Sequence, residues 1–329
     1  MTLAVEETRE RFVSLDVSPW AWVALMAIIF LMLSVDLYRH RDNHEPTPKE
    51  ALRESLAWVA LGLSFGGVIG LMFGAPALGE YLSGYLIEKS LSVDNVFVWS
   101  MLFTSMSIPL KYQHRVLFWG IFGALTLRAI FIFAGTALIG RFAWILLLFG
   151  VFLVFTGFKV IRHRADEGEA EASRGLGLLK RVMPVSAEFD GHKFFTRVNT
   201  KRAATPLFAA LVVVEVTDVI FAVDSVPAIL AVSNEPYLVF ASNAFAILGL
   251  RAMYFLLANA KQRFHYLSHA LGGILIFVGL KMAVSTWYHL DTVYSLSVIA
   301  VLLVGAIWFS HRRNIKNGVT FSNDNQHIH

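Results

Sequence analysis

No cysteine occurs anywhere in this 329-residue chain. That excludes disulfides, thiolate metal sites and iron–sulfur clusters. Charge is scarce too: 16% of residues are charged, against about 25% in soluble domains. No Gly-Lys dipeptide occurs, so there is no Walker A loop and ATP-driven pumping by this chain has no support. Histidine is missing from the middle of every apolar run, which removes the usual ligand of zinc, copper and nickel sites. Nothing in the composition suggests nucleic-acid binding.

What is present is hydrophobic sequence, 56% of the chain. It comes in runs of about 20 residues, the length of a membrane-spanning helix and too continuous for barrel strands. The expected fold is an all-α integral membrane protein with about nine transmembrane helices. The runs lie near 20–38, 56–74, 80–105, 116–135, 142–161, 207–232, 238–258, 268–288 and 292–310. The first has acidic flanks and no clear small-residue cleavage site, unlike a processed signal peptide.

Lys and Arg fall on one side of this pattern. Arg39, Arg41, Lys49 and Arg53 share it with Lys111, Arg115, the basic residues of 162–206, Lys261, Arg263, Arg312, Arg313 and Lys316. The other side has Arg9, Arg11 and Arg141. Basic loops stay cytoplasmic, so the expectation is a plasma (inner) membrane protein with its N-terminus outside and its C-terminus in the cytoplasm. Nine spans satisfy that alternation.

The chain also repeats itself. Val93-Asp94-Asn95-Val96 matches Val223-Asp224-Ser225-Val226, and six residues upstream Glu88 matches Asp218. Leu127-Arg128-Ala129 matches Leu250-Arg251-Ala252, and Phe155, Gly157 and Lys159 match Phe277, Gly279 and Lys281. Each copy holds three spans, so the second enters from the opposite side. Two inverted three-helix repeats are expected, an architecture that places sites at the repeat interface. The organisation is then an N-terminal pair of peripheral helices (1–79), repeat 1 (80–161), a charged, partly mobile linker (162–206), repeat 2 (207–288), and a final helix with a cytoplasmic tail (289–329).

Five carboxylates interrupt the apolar runs: Glu88, Asp94, Glu215, Asp218 and Asp224. Each costs on the order of 2.5–3.5 kcal/mol at a bilayer centre on insertion scales. With Asn95, Asn243, Ser225 and Thr217 nearby they form an all-oxygen donor set, which suits Mg²⁺, Ca²⁺ or Mn²⁺. Inverted copies predict two layers, Glu88 beside Asp224 and Asp94 beside Asp218. Pro227 is expected to unwind its span and free carbonyls as ligands. A cation displacing protons from clustered carboxylates would couple its movement to H⁺ antiport.

The alternative for the acids is structural ion pairing, because Lys89, Arg128, Lys159, Arg251 and Lys281 also lie in spans. Arg128 and Arg251 are the candidate counter-ions, and Lys159 is placed to snorkel. Gly62-Leu-Ser64-Phe-Gly66 fits the serine-hydrolase elbow, but that motif needs a strand-to-helix turn and a histidine partner. In an apolar helix, Gly62, Gly66, Gly70 and Gly74 instead allow close packing. No enzymatic activity is expected. His192 reads as a surface residue and His327 and His329 as a solvated tail.

Tyr-Leu-Ile-Glu88-Lys-Ser-Leu-Ser-Val-Asp94-Asn-Val-Phe-Val and Glu215-Val-Thr-Asp218-Val-Ile-Phe-Ala-Val-Asp224-Ser-Val-Pro-Ala-Ile resemble signatures of the TerC family of integral membrane proteins. Phe245-Ala-Ile-Leu-Gly-Leu-Arg251-Ala-Met-Tyr-Phe is similar to another family stretch. The likeness spans about 20–310 and leans to the Alx-type branch, whose redox-modulator label finds neither cysteine nor cofactor site here. The resemblance implies manganese homeostasis: Mn²⁺ as exported substrate, no tightly bound cofactor, and metal-facing acids at Glu88, Asp94, Glu215, Asp218 and Asp224. The family takes its name from tellurium resistance. Two other classes stay open on the residues: a metal-sensing or metallation partner without net flux, with 162–206 as its partner surface, and a proton or Na⁺ pathway.

Overall fold

The computed structural model describes residues 13–39, 46–142, 144–162, 184–186, 188–198, 201–257, 266–284 and 292–316. The helices are α1 (Pro19–Arg39), α2 (Pro48–Phe73), α3 (Ala75–Ser105), α4 (Leu110–Arg141), α5 (Ile145–Arg162), α6 (Pro206–Leu230), α7 (Pro236–Leu248), α8 (Leu250–Leu257), α9 (Leu267–Val284) and α10 (Thr292–Lys316). A two-stranded antiparallel hairpin, β1 (Phe195–Val198) with β2 (Lys201–Ala204), precedes α6. Among the described residues, six segments are long and apolar enough to cross a membrane. The chain is an all-α membrane protein carrying one small hairpin.

Local chemistry sets the helix boundaries. Thr47 caps α2 by accepting the Glu50 N–H, the Glu50 carboxylate returns to the Thr47 N–H, and Pro48 follows at the first helical position. Thr205 caps α6 by accepting the Phe208 N–H, with Pro206 at the first helical position but no returning carboxylate. Gly74, at φ +89°, is the sole residue between α2 and α3, a backbone state that glycine adopts at little cost. The two helices then pack closely: a methyl group at Gly62 would lie 2.6 Å from the Tyr85 ring, and one at Gly66 3.0 Å from Tyr81. Ser64 points away from this contact and donates to the Ala60 carbonyl of its own helix. It sits on a helix, without the turn a nucleophile elbow needs.

Two expectations about helix breaks are corrected. Pro227 does not unwind its span, since α6 continues through it to Leu230. The interruption falls instead at Gly249, where the expected seventh span divides into α7 and α8. This broken element is the centre of the protein: 94% of its apolar window is buried, against 22% for α1, 17% for α2 and 22% for α10. Those three helices are peripheral and turn their apolar surface outward, as lipid-facing helices do.

Contacts define the two ends of the bundle. At one end the Val13 and Leu15 N–H groups donate to Glu80 and Glu235, and Ser233 donates to Glu80 at 2.6 Å. Burial raises the Glu235 carboxyl above its ordinary pKa, opposed by N–H groups of Leu15 and Tyr237. At the other end Arg39 pairs with Glu54, Arg251 with Asp36, and Tyr254 donates to Gln113 at 2.7 Å. Tyr112 stacks on Phe189, Arg115 lies over the Phe194 ring, and Arg313 meets Tyr266. Among the described residues, Arg39, Arg115 and Arg313 therefore gather at one end.

The linker residues 163–183, the tail after 316 with His327 and His329, and the basic residues Lys261 and Arg263 lie outside the described residues. His192 is half-buried against the Tyr112 ring.

A buried carboxylate site on four helices

Glu88 on α3 is fully buried. Its Oε1 accepts from Arg128 on α4 and from Ser92 Oγ at 3.2 Å, and its Oε2 accepts from Asn243 Nδ2 on α7 at 3.1 Å. Asp218 on α6 is equally buried and accepts from Arg128 Nη2 at 3.3 Å. One guanidinium thus joins two carboxylates from different helices, which its forked donor geometry allows. Arg128 is itself 1% exposed, so this pairing is shielded from solvent.

Glu215 is one turn before Asp218 on the same helix. Its carboxylate occupies space left by Gly123 on α4, where a Cβ would collide with it. Gly120, one turn earlier, makes room for Val214 in the same way. Glu215 Oε2, Asp218 Oδ2 and Arg128 Nε have no hydrogen-bond partner among the described residues, and neither do Asn95 Nδ2 and Ser225 Oγ, two turns further along α3 and α6. Buried polar atoms are nearly always satisfied, so this set needs an explanation. Thr217 is not part of it, because its hydroxyl donates to the Val213 carbonyl.

The sequence-predicted residues divide accordingly. Glu88, Asp218 and Arg128 are in direct contact; Glu215 is on the same face of α6; Asn95 and Ser225 are buried. The side chains of Asp94 and Asp224 lie outside the described residues, although their backbones belong to α3 and α6. Among the described residues no cluster of three or more Asp, Glu or His is arranged to hold a metal. The layered pairing of Glu88 with Asp224 and of Asp94 with Asp218 falls on side chains outside the described residues. Glu88 and Asp218 meet at a single guanidinium, that of Arg128 on α4. Arg251, the second candidate counter-ion, instead binds the Asp36 carboxylate of α1.

Two participants, Asp36 and Ser92, escaped sequence reasoning, and Lys89 has a role other than pairing with an acid. Asp36 is the acid that Arg251 needs, and the repeat pairing of Arg128 with Arg251 was the available signal. Ser92, one turn after Glu88, is a standard i,i+4 partner. Lys89 donates at 3.1 Å to the Ala246 carbonyl, in the last turn of α7 beside the break. The last four carbonyls of a helix have no partner within it, and this ammonium serves one of them.

The sequence profile of the Integral membrane protein TerC family matches residues 73–317. The chain is 48% identical over 291 residues to the membrane protein STKORF319 of Myxococcus xanthus, covering 88% of this chain and 91% of that one. It is 42% identical over 315 residues to Alx of Escherichia coli strain K12, named there as a candidate membrane-bound redox modulator, covering 92% and 98%. A Rickettsia bellii membrane protein is 39% identical over 297 residues, covering 90% and 98%. No solved structure matches. The chain belongs to the TerC family of integral membrane proteins.

Proposed function

We propose that this TerC-family protein is a secondary transporter in the plasma (inner) membrane, with its N-terminus outside. Its cargo is Mn²⁺ or a similar hard divalent cation, exported from the cytoplasm in exchange for protons. The observation that carries this is the buried, oxygen-only donor set around Arg128, in which Asp218 Oδ2 and Glu215 Oε2 have no partner among the described residues. When ionised, Glu88, Glu215, Asp218 and Arg128 sum to two negative charges, which one divalent cation neutralises. Oxygen ligands of this kind favour Mn²⁺, Mg²⁺ or Ca²⁺. Without cargo, Arg128 keeps Glu88 and Asp218 together. An arriving cation takes over part of that role, and protons leave the carboxylates it engages. Two inverted repeats supply the alternation of access that export needs. The basic end of the bundle is the cytoplasmic one by the positive-inside rule.

The test is Mn²⁺ flux in proteoliposomes holding the full chain, with Asp94→Asn and Asp224→Asn beside wild type. Flux in wild type is expected to fall at least tenfold in each variant while the thermal melt stays in place. Mn²⁺ binding without flux in wild type would instead mark a metal sensor or metallation partner. Flux indifferent to an imposed pH gradient removes the antiport step.

Gly123→Ala gives a finer check. The added methyl runs into the Glu215 carboxylate, the far end of a flexible side chain, so the acid moves and the helices do not. Mn²⁺ affinity is expected to weaken about tenfold, the low end of the effect of misplacing a ligand's support. Isothermal titration should register this with little change in melting temperature.

A further inference from the structure

The hairpin before α6 places two arginines directly opposite each other. Arg197 pairs with Arg202 across β1 and β2, and both are exposed. Like charges facing each other across an antiparallel pair are destabilising. Neither arginine makes an ion pair among the described residues. Neither described acid of this segment, Glu188 or Asp190, pairs with them. Asp190 accepts from Lys193 and from Thr196 Oγ1 at 3.0 Å, and Thr196, next to Arg197 on the strand, points to the opposite face of the hairpin.

The arginine face also carries Phe195, two residues before Arg197. Phe195 is 48% exposed, yet its ring packs 4.5 Å from Phe208, in the first turn of the membrane-spanning α6. An exposed aromatic ring lying on the first turn of a span sits at headgroup level. The two guanidinium groups are therefore at the depth of lipid phosphates. We propose that Arg197 and Arg202 clamp the phosphate of an anionic phospholipid in the leaflet this hairpin faces, with Phe195 against its glycerol and upper acyl region. Guanidinium pairs match phosphate oxygens in geometry and charge, and the bound phosphate removes the repulsion between the arginines. The clamp is independent of what the protein transports.

The experiment uses the purified full chain in mixed micelles with equal phosphatidylglycerol and phosphatidylcholine, and counts retained lipids by native mass spectrometry. Wild type is expected to retain phosphatidylglycerol selectively. Arg197→Gln with Arg202→Gln should lower its apparent affinity about thirtyfold, as expected for two basic residues near a membrane surface. Its tryptophan-fluorescence melt should be unchanged or higher, because the repulsion is gone. Arg312→Gln, at the same end of the bundle on α10, should retain wild-type selectivity. Unchanged retention in the double variant overturns the clamp. Equal loss in Arg312→Gln also overturns it, by reducing the effect to general basicity. So does displacement of the lipid by poly-glutamate at matched charge concentration, which would assign the arginines to an acidic protein partner.

Discussion

Arg128→Met should melt far below wild type, by on the order of 10 °C, or fail to accumulate as folded protein. Removing one partner of a buried ion pair costs about 3–5 kcal/mol, because the charge left behind has neither solvent nor counter-ion. Here two carboxylates, Glu88 and Asp218, lose the same partner. Asn243 and Ser92 still donate to Glu88, whereas Asp218 keeps no side-chain donor among the described residues. Adding Glu88→Gln to Arg128→Met should recover part of the loss, since one fewer buried charge is stranded. Intrinsic fluorescence of the eight tryptophans follows the melt, and the absence of cysteine rules out thiol-reactive dyes. A single variant that melts with wild type would mean that the acids do not need Arg128's charge. The cluster would then be held by hydrogen bonds between neutral groups.

The reach and the limits of the sequence are visible in the same residues. Carboxylates inside apolar runs stand out because the bilayer penalises them, so Glu88, Glu215, Asp218 and their base Arg128 were legible as a set. Their pairing was not. A helix fixes the distance between Glu88 and Asp94 along one axis, but it says nothing of how far α3 is shifted against α6. That shift is decided by packing, which brings both acids to Arg128 on a third helix. The central helix break was misplaced for a related reason. Proline is the strongest breaker in an isolated helix, yet α6 keeps its helical path through Pro227 to Leu230, forgoing only the bond that an N–H there would make to Val223. Gly249 is a lone glycine inside a helical run, too weak a signal to mark a break, and the part-buried ammonium of Lys89, from another helix, serves a carbonyl in the turn before it. The hairpin at 195–204 was hidden in a charged linker. Its strands are four residues each, too short to establish an alternation.

Gly157→Val is expected to be as damaging as the loss of Arg128, through packing alone. α5 and α9 lie along each other more extensively than any other described pair of helices. A methyl group at Gly157 would sit 2.7 Å from the Gly272 carbonyl oxygen and 2.9 Å from the Ile276 nitrogen, backbone atoms that cannot turn aside. The helices would have to part along their whole contact, and in a membrane that contact is the main force holding them together. Gly140→Val, where nothing lies within 4 Å, is the control and should be near neutral. The decisive comparison is Gly279→Val. The repeat aligns Gly157 with Gly279, and the same offset aligns Gly150 with Gly272 and Val154 with Ile276. A methyl at Gly279 would lie 2.6 Å from the Gly150 carbonyl and 2.9 Å from the Val154 nitrogen, the mirror of the surroundings of Gly157. Gly150 faces Gly279 while Gly157 faces Gly272, so the helices run antiparallel and each contact has a counterpart with the copies exchanged. Reciprocal contacts of this kind are the mark of a two-fold axis between like elements. If α5 and α9 are inverted copies, Gly157→Val and Gly279→Val should lower the melting temperature equally, within a degree or two. Unequal losses would mean that one helix is anchored by neighbours the other lacks, and that the sequence repeat has not been kept as a symmetry of the packing.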